Sequence, residues 1–180
     1  MNGEEVSGFE CRLDGGNWDV CNSPHSTATL EDGSHSFEVR AIDLAGNIDS
    51  SAAAHAWTID TQAPETDIIS GPSSPTTETM ANFVFESNEV NSTFRCSLDS
   101  AAWESCTSPK SYDNLGQGSH VFRVMSTDLA GNEDSTPSEW NWIIDVEAPE
   151  TSITNNPPDI TNSQWIVFEF ESEANSTFEC

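Results

Sequence analysis

The sequence predicts an all-β chain, a row of antiparallel β-sandwiches in which one complete module stands between two partial ones. Three observations predict it. The first is an internal repeat. Cys11 and Cys96, Trp18 and Trp103, His35 and His120, Trp57 and Trp142, and Pro64 and Pro149 all lie 85 positions apart. The second is alternation of apolar and polar residues in short runs, the mark of strands with one buried face, with no helical periodicity anywhere. The third is the spacing of turn residues, which leaves about seven short strands to a module, the density of a sandwich. The modules run 1–64, 65–149 and 150–180. The first lacks its opening strands. The third loses one residue between Ser172 and Asn175 and breaks off at Cys180.

In the first module, Phe9-Glu-Cys-Arg-Leu13 and Asp19-Val-Cys21 make a hairpin, with Asp14-Gly-Gly16 supplying the turn. Pro24 to Leu30 is a short, weak strand candidate. His35-Ser-Phe-Glu-Val-Arg-Ala41 alternates cleanly, with Phe37, Val39 and Ala41 inward. Asp43-Leu-Ala-Gly-Asn47 is a loop, and Ala56 to Asp60 a final strand with Trp57 and Ile59 inward. Thr61 to Thr66 is the linker, where Pro64 favours an extended approach.

The second module opens with Asp67-Ile-Ile-Ser70, followed by a Gly71-Pro-Ser-Ser-Pro75 loop unsuited to a central strand. Asn82-Phe-Val-Phe-Glu86 carries Phe83 and Phe85 inward. The hairpin Phe94 to Cys106 repeats that of the first module; centred near Ala101, it sets Cys96 opposite Cys106. Lys110 to Asp113, His120 to Ser126, the loop Asp128-Leu-Ala-Gly-Asn132 and the strand Glu139 to Asp145 complete the unit. The third module supplies Thr151 to Thr154 and Ile166 to Phe170 before it stops.

Two cysteine pairs ten residues apart, without flanking Cys or His at zinc-like spacing, indicate the disulfides Cys11–Cys21 and Cys96–Cys106. Cys180 is then an unpaired thiol at the break in the repeat. Oxidised cysteines place the chain outside the cytosol. No basic, apolar leader follows Met1, so the expectation is a piece of a longer secreted protein. Five Lys and Arg against 31 Asp and Glu give a formal charge of −26, which repels nucleic acid and anionic membranes. No apolar stretch approaches the length of a membrane span.

The combination Phe-x-Cys-x-Leu-Asp … Trp-x-x-Cys-x-Ser-Pro … Gly-Ser-His-x-Phe-x-Val … Asp-Leu-Ala-Gly-Asn … Trp-x-Ile-Asp … Ala-Pro-Glu-Thr resembles the bacterial immunoglobulin-like repeats. The resemblance implies tandem immunoglobulin-like sandwiches and a role in a large secreted or surface-anchored protein, often an adhesin. The disulfide departs from antibody domains, lying within one hairpin instead of bridging two sheets.

No catalytic constellation stands out: Ser, His and Asp are present, but no Gly-x-Ser-x-Gly elbow occurs, and His35 and His120 read as structural residues beside a turn. Trp18 and Trp103 fall off the cysteine face. They either cover the disulfide across a bulge or stand exposed, to pack on protein or stack on a sugar. The sequons Asn91-Ser-Thr and Asn175-Ser-Thr recur with the repeat.

The acidic loops are the strongest candidate site. The loop between the last two strands of such a sandwich lies at the pole where the module begins. Asp128, Asn132 and Asp134 therefore approach the linker residues Asp60, Glu65 and Asp67. Calcium takes roughly six to eight oxygen ligands of these kinds, so the set is a candidate calcium joint between neighbouring repeats. Asp145, Glu147 and Glu150 repeat the linker set at the next joint. Other expected partners are a host or surface protein or a glycan.

Overall fold

The computed structural model describes residues 6–174 and 176–179; Asn175 of the second sequon and Cys180, expected as an unpaired thiol, lie outside the described residues. The described chain is all-β, with thirteen strands and no helix long and apolar enough to cross a membrane.

In the first module β1 (Val6–Leu13), β2 (Asp19–Cys21), β3 (Gly33–Asp43) and β4 (Ala53–Ile59) form one antiparallel sheet in the order β2-β1-β3-β4. The second module contributes β5 (Thr66–Ser70), β6 (Ala81–Ser87), β7 (Thr93–Leu98), β8 (Glu104–Cys106), β9 (Lys110–Tyr112), β10 (Gly118–Thr127) and β11 (Ser138–Ile144). These seven strands make the two sheets β5-β6-β9 and β11-β10-β7-β8. The third module contributes β12 (Thr151–Asn155) paired with β13 (Glu169–Ser172).

The alternation sets the core of the second module. Along β6, Ala81, Phe83 and Phe85 are buried while Asn82, Val84 and Glu86 are exposed. Phe83 stacks on Phe122 from the facing sheet, ring centroids 4.0 Å apart, and meets the edge of Trp142 at 5.3 Å. Val124, Ile144 and Cys96 close the cluster, with Phe94 and Leu98 packed at its margin. Such offset and edge-on aromatic contacts add to the apolar burial that drives the two sheets together.

The hairpin register differs from the expectation. Phe94 pairs with Cys106 and Cys96 with Glu104, so the centre lies at Ser100 and the cysteines face each other diagonally. The turn explains the shift: Asp99 and Ser100 both take the left-handed conformation, at φ 50° and 63°, and fold the chain one residue earlier. Both cysteines still point to one face, and their Cα atoms are 5.9 Å apart in the Cys96–Cys106 disulfide and 5.8 Å in Cys11–Cys21.

Two expected strands are not formed, for one shared reason. Residues 24–30 are irregular, although the equivalent β9 of the second module is a strand. Residues 166–168 are irregular too, whereas their equivalents open β6. In the second module these two stretches pair with each other, Ala81 with Tyr112, Asn82 with Ser111 and Phe83 with Lys110. The first module has the β9-like segment without a β6, and the third has the β6-like segment without a β9. A strand with no ladder partner leaves its backbone groups to water and gains nothing by extending.

Candidate functional site

The joint between the first two modules is stitched mainly by backbone groups of the linker. Pro64 is fully buried. The Thr66 N–H donates to Asp134 Oδ2 at 3.1 Å, the Thr66 and Ser126 hydroxyls share a 2.8 Å hydrogen bond, and the Ser138 hydroxyl donates to the Thr66 carbonyl. The Glu65 N–H donates to Asn88 Oδ1 at 2.9 Å. The start of the second module is thereby fixed before its first strand runs.

The loop after β10 closes on itself. Asp128 Oδ1 accepts the Gly131 N–H at 2.7 Å and the Asn132 N–H at 2.8 Å, and Oδ2 accepts the Asn132 side-chain amide at 2.8 Å. Gly131 sits at φ 97°, a conformation that glycine adopts without strain. Asp43 does the same for Ala45 and Asn47 in the first module, so each turn is closed by its own aspartate.

Asn132 then reaches across to the linker, its Nδ2 donating to the Asp60 carbonyl at 3.0 Å. That contact brings the carboxylates of Asp60, Glu89 and Asp128 within 4.8 Å of one another. Burial and the charges of Asp60 and Asp128 hold the Glu89 carboxyl above its ordinary range. Burial works against the ionised form of Asp128 as well, but the bonds from Asn132 and Gly131 prevail and keep its carboxyl below the usual range. Asp134 is lowered in the same way, burial opposing and the bonds from Thr66 and Thr136 deciding.

The structure thus gathers Asp60, Asp128 and Asn132, and turns the others elsewhere. Asp134 is buried beneath the linker against Thr66 and Thr136. Glu65 is exposed, and Asp67 is exposed on β5 opposite Glu86. Glu89, absent from the sequence-based set, comes from the turn between β6 and β7. At the following joint Glu147 and Glu150 line an open hollow with Glu173.

Trp18 and Trp103 lie away from the core. Trp18 rests against the guanidinium groups of Arg12 and Arg40, 4.6 and 4.1 Å from its ring, on the outer side of the sheet. Trp103 is 37% exposed, just before β8. His35 and His120 are structural brackets. His120 Nδ1 bonds Asp99 Oδ2 and Nε2 bonds the Gly116 carbonyl, both at 2.8 Å, and the ring stacks on Trp142. Although burial alone would lower its pKa, these partners raise it; His35, held by the Glu31 carbonyl and Asp14, is raised likewise.

No family model matches the chain, and no curated protein matches it either. Among solved structures the chain is similar to fibronectin(III)-like modules of Clostridium thermocellum CbhA, at 14% identity over 80% of each chain with a TM-score of 0.43. The fold assignment rests on the sheets described above.

Proposed function

We propose that the chain is a non-enzymatic structural or adhesion spacer, part of a large bacterial cell-surface or secreted protein, whose repeats hold a distal binding domain away from the cell. The observation that carries this reading is the joint. Asn132 of the second module bonds the Asp60 carbonyl, and Thr61 and Gln62 after it bond Asp32 of the first module, so orientation passes from one repeat to the next. Disulfides inside each hairpin suit an oxidising exterior. Solution scattering of the whole chain tests it. The wild type should give a narrow distribution of dimensions and Asn132→Ala a broader one; equal breadth in the two would make the joint a free hinge.

Calcium is the finer part of the reading. Three carboxylates close together repel, and a hard cation bound to them would offset the repulsion and stiffen the joint. Millimolar calcium should then raise the melting temperature of the wild type and narrow its dimensions. Glu89→Gln should melt higher than wild type in the absence of calcium and lose the calcium response. Unchanged melting and dimensions on adding calcium would leave the loops as solvated turns.

A second reading, an accessory carbohydrate-binding module of a secreted enzyme, is favoured by the exposed ring of Trp103. Glycan binding that is at least tenfold weaker in Trp103→Ala would establish it. Equal binding, or none in either protein, would remove it.

A further inference from the structure

His35 and His120 each stand where a neutral imidazole cannot satisfy both of its neighbours. His120 Nδ1 lies 2.8 Å from Asp99 Oδ2, and Nε2 lies 2.8 Å from the Gly116 carbonyl oxygen. For His35 the partners are Asp14 Oδ2 at 2.8 Å and the Glu31 carbonyl at 2.9 Å. A carboxylate and a carbonyl only accept, and a neutral ring carries a single N–H. Its other nitrogen would turn a lone pair on an oxygen at hydrogen-bond distance. The imidazolium, with both nitrogens protonated, fits both partners. The His35 and His120 side chains are only 12% and 11% exposed, so water offers little substitute.

The groups around the rings favour the charged form. From the hairpin turn comes a carboxylate, Asp99 or Asp14, and from the loop before the strand a backbone carbonyl. The last strand of each module contributes an uncharged ring, Trp142 at 5.2 Å from His120 and Trp57 at 5.7 Å from His35. His55 also packs on Trp57, at 6.1 Å, and is a further titratable group in that cluster. Burial opposes a charge on His120, but the Gly116 and Asp99 bonds override it and hold its pKa above the ordinary 6.5. At His35 the Glu31 and Asp14 bonds outweigh burial in the same way.

The two ends of this bracket differ. The aspartate is fixed to the strand: the Asp99 N–H donates to the Val121 carbonyl at 2.8 Å, and Asp99 Oδ1 accepts the Val121 N–H at 2.9 Å. Asp14 is fixed to Ser36 by the same two bonds. The other end is the loop that enters the strand, and the next residue of that loop holds the outgoing linker. Gln117 Oε1 accepts the Val146 N–H at 3.1 Å. At the equivalent repeat position, Asp32 accepts the Thr61 hydroxyl at 2.9 Å and the Gln62 side-chain amide at 3.2 Å. Thr61 and Val146 are themselves repeat equivalents. A hairpin turn, a histidine, a loop and a linker are thus connected in series at both joints.

We propose that His35 and His120 are proton-controlled clasps, fixing the loop that holds the outgoing linker when charged and releasing it when neutral. The clasp rests on the spacer reading, since it sets how stiffly one repeat orients the next. When a proton leaves the ring, the remaining N–H stays with the carboxylate, the stronger acceptor, and the loop carbonyl loses its donor. A pKa raised on folding gives a contribution that is whole below the ordinary 6.5 and is lost as pH rises through the raised native value. The joints are therefore stiff in a mildly acidic medium and loose in an alkaline one.

Imidazole nitrogen NMR and solution scattering of the whole chain, between about pH 6 and about pH 9, test it. His35 and His120 should carry an N–H on both nitrogens at the acidic end and titrate above 6.5. The distribution of dimensions should be narrow at the acidic end and broader at the alkaline end. Asp32→Ala/Gln117→Ala, changed only at exposed loop residues, should keep both titrations yet be broad throughout. His35→Gln/His120→Gln should lose the pH response of the dimensions, and His25→Gln/His55→Gln should keep it. A ring with one N–H at the acidic end, or one titrating below 6.5, overturns the proposal. So does a response retained in His35→Gln/His120→Gln, because another group, such as Glu89, would then govern the joint. A wild type narrow at both ends overturns the clasp and leaves the spacer reading standing, whereas one broad at both ends overturns the two together.

Discussion

Phe122→Ala should destabilise the second module by about 3–5 kcal/mol, the range for deleting a buried phenylalanine whose cavity cannot collapse. Phe122 is 0% exposed on the central strand β10, pairing with Leu98 on one side and Trp140 on the other. Its ring lies 4.0 Å from Phe83, 5.9 Å from Phe85 and 6.0 Å from Tyr112, so three neighbours lose their contacts together. These neighbours belong to the rigid pleats of β6 and β9 and have little freedom to close the gap. Denaturant unfolding of dilute protein, followed by tryptophan fluorescence, reads the loss. Phe37→Ala, at the same position of the first module, is the internal control and should cost much less, because Phe37 is only half-buried. Equal losses at the two positions would mean that the second module buries no more around this ring than the first.

Removing the Cys96–Cys106 disulfide should cost the second module about 2–3 kcal/mol in the chain-entropy account, where a short closed loop restricts the unfolded chain. Cys96→Ala/Cys106→Ala measures this more cleanly than serine, since Cys96 is fully buried and a hydroxyl there would need a partner. The first module should suffer more from Cys11→Ala/Cys21→Ala. Among the described residues it has one sheet and no second layer to hold its hairpin, so the staple carries a larger share of its order. The check is denaturation with and without reductant. An identical midpoint in the two conditions would show that the cross-links contribute nothing to either module.

Much of the architecture was legible because the repeat could be read twice. A run such as Asn82-Phe-Val-Phe-Glu86 is short, but its phase agrees with that of Phe122 and Val124, and only one arrangement buries all of them. What escaped the sequence was pairing. Alternation tells which face a residue occupies and is silent on whether a neighbour exists, so residues 24–30 and 166–168 read as strands although no partner is present. The hairpin slipped by one because its register depends on two left-handed residues, Asp99 and Ser100, that are neither glycine nor asparagine.

The candidate site was legible only in part, for a similar reason. Asp128 and Asn132 stood out as a turn motif, and topology carried them to Asp60. Glu89 lies in a turn with no motif, and its place beside Asp60 follows from how β6 hands over to β7. Asp134 looked equivalent to Asp128 by charge. It serves instead as the buried acceptor for the Thr66 N–H, a role that only the folded linker reveals. The setting of Trp18 was hidden as well, since Arg12 and Arg40 come side by side only through the pairing of β1 with β3.

The five cations of the chain are all accounted for in ion pairs: Arg12 with Glu38, Arg40 with Glu10, Arg95 with Glu133, Lys110 with Glu104 and Arg123 with Glu139. Every one of them lies within a strand, on β1, β3, β7, β9 or β10, and none lies in a loop. For proteases that cut after lysine or arginine, this arrangement removes the substrate. Such enzymes bind an extended, pliable segment, and here each scissile bond is fixed in a ladder whose opening requires the sheet to come apart. The exposed loops that a protease can reach are supplied with aspartate, serine and glycine instead. An acidic chain of this kind is shielded from trypsin-like digestion by where it keeps its few basic residues, and cleavage reports on unfolding of the module rather than on the accessibility of its surface.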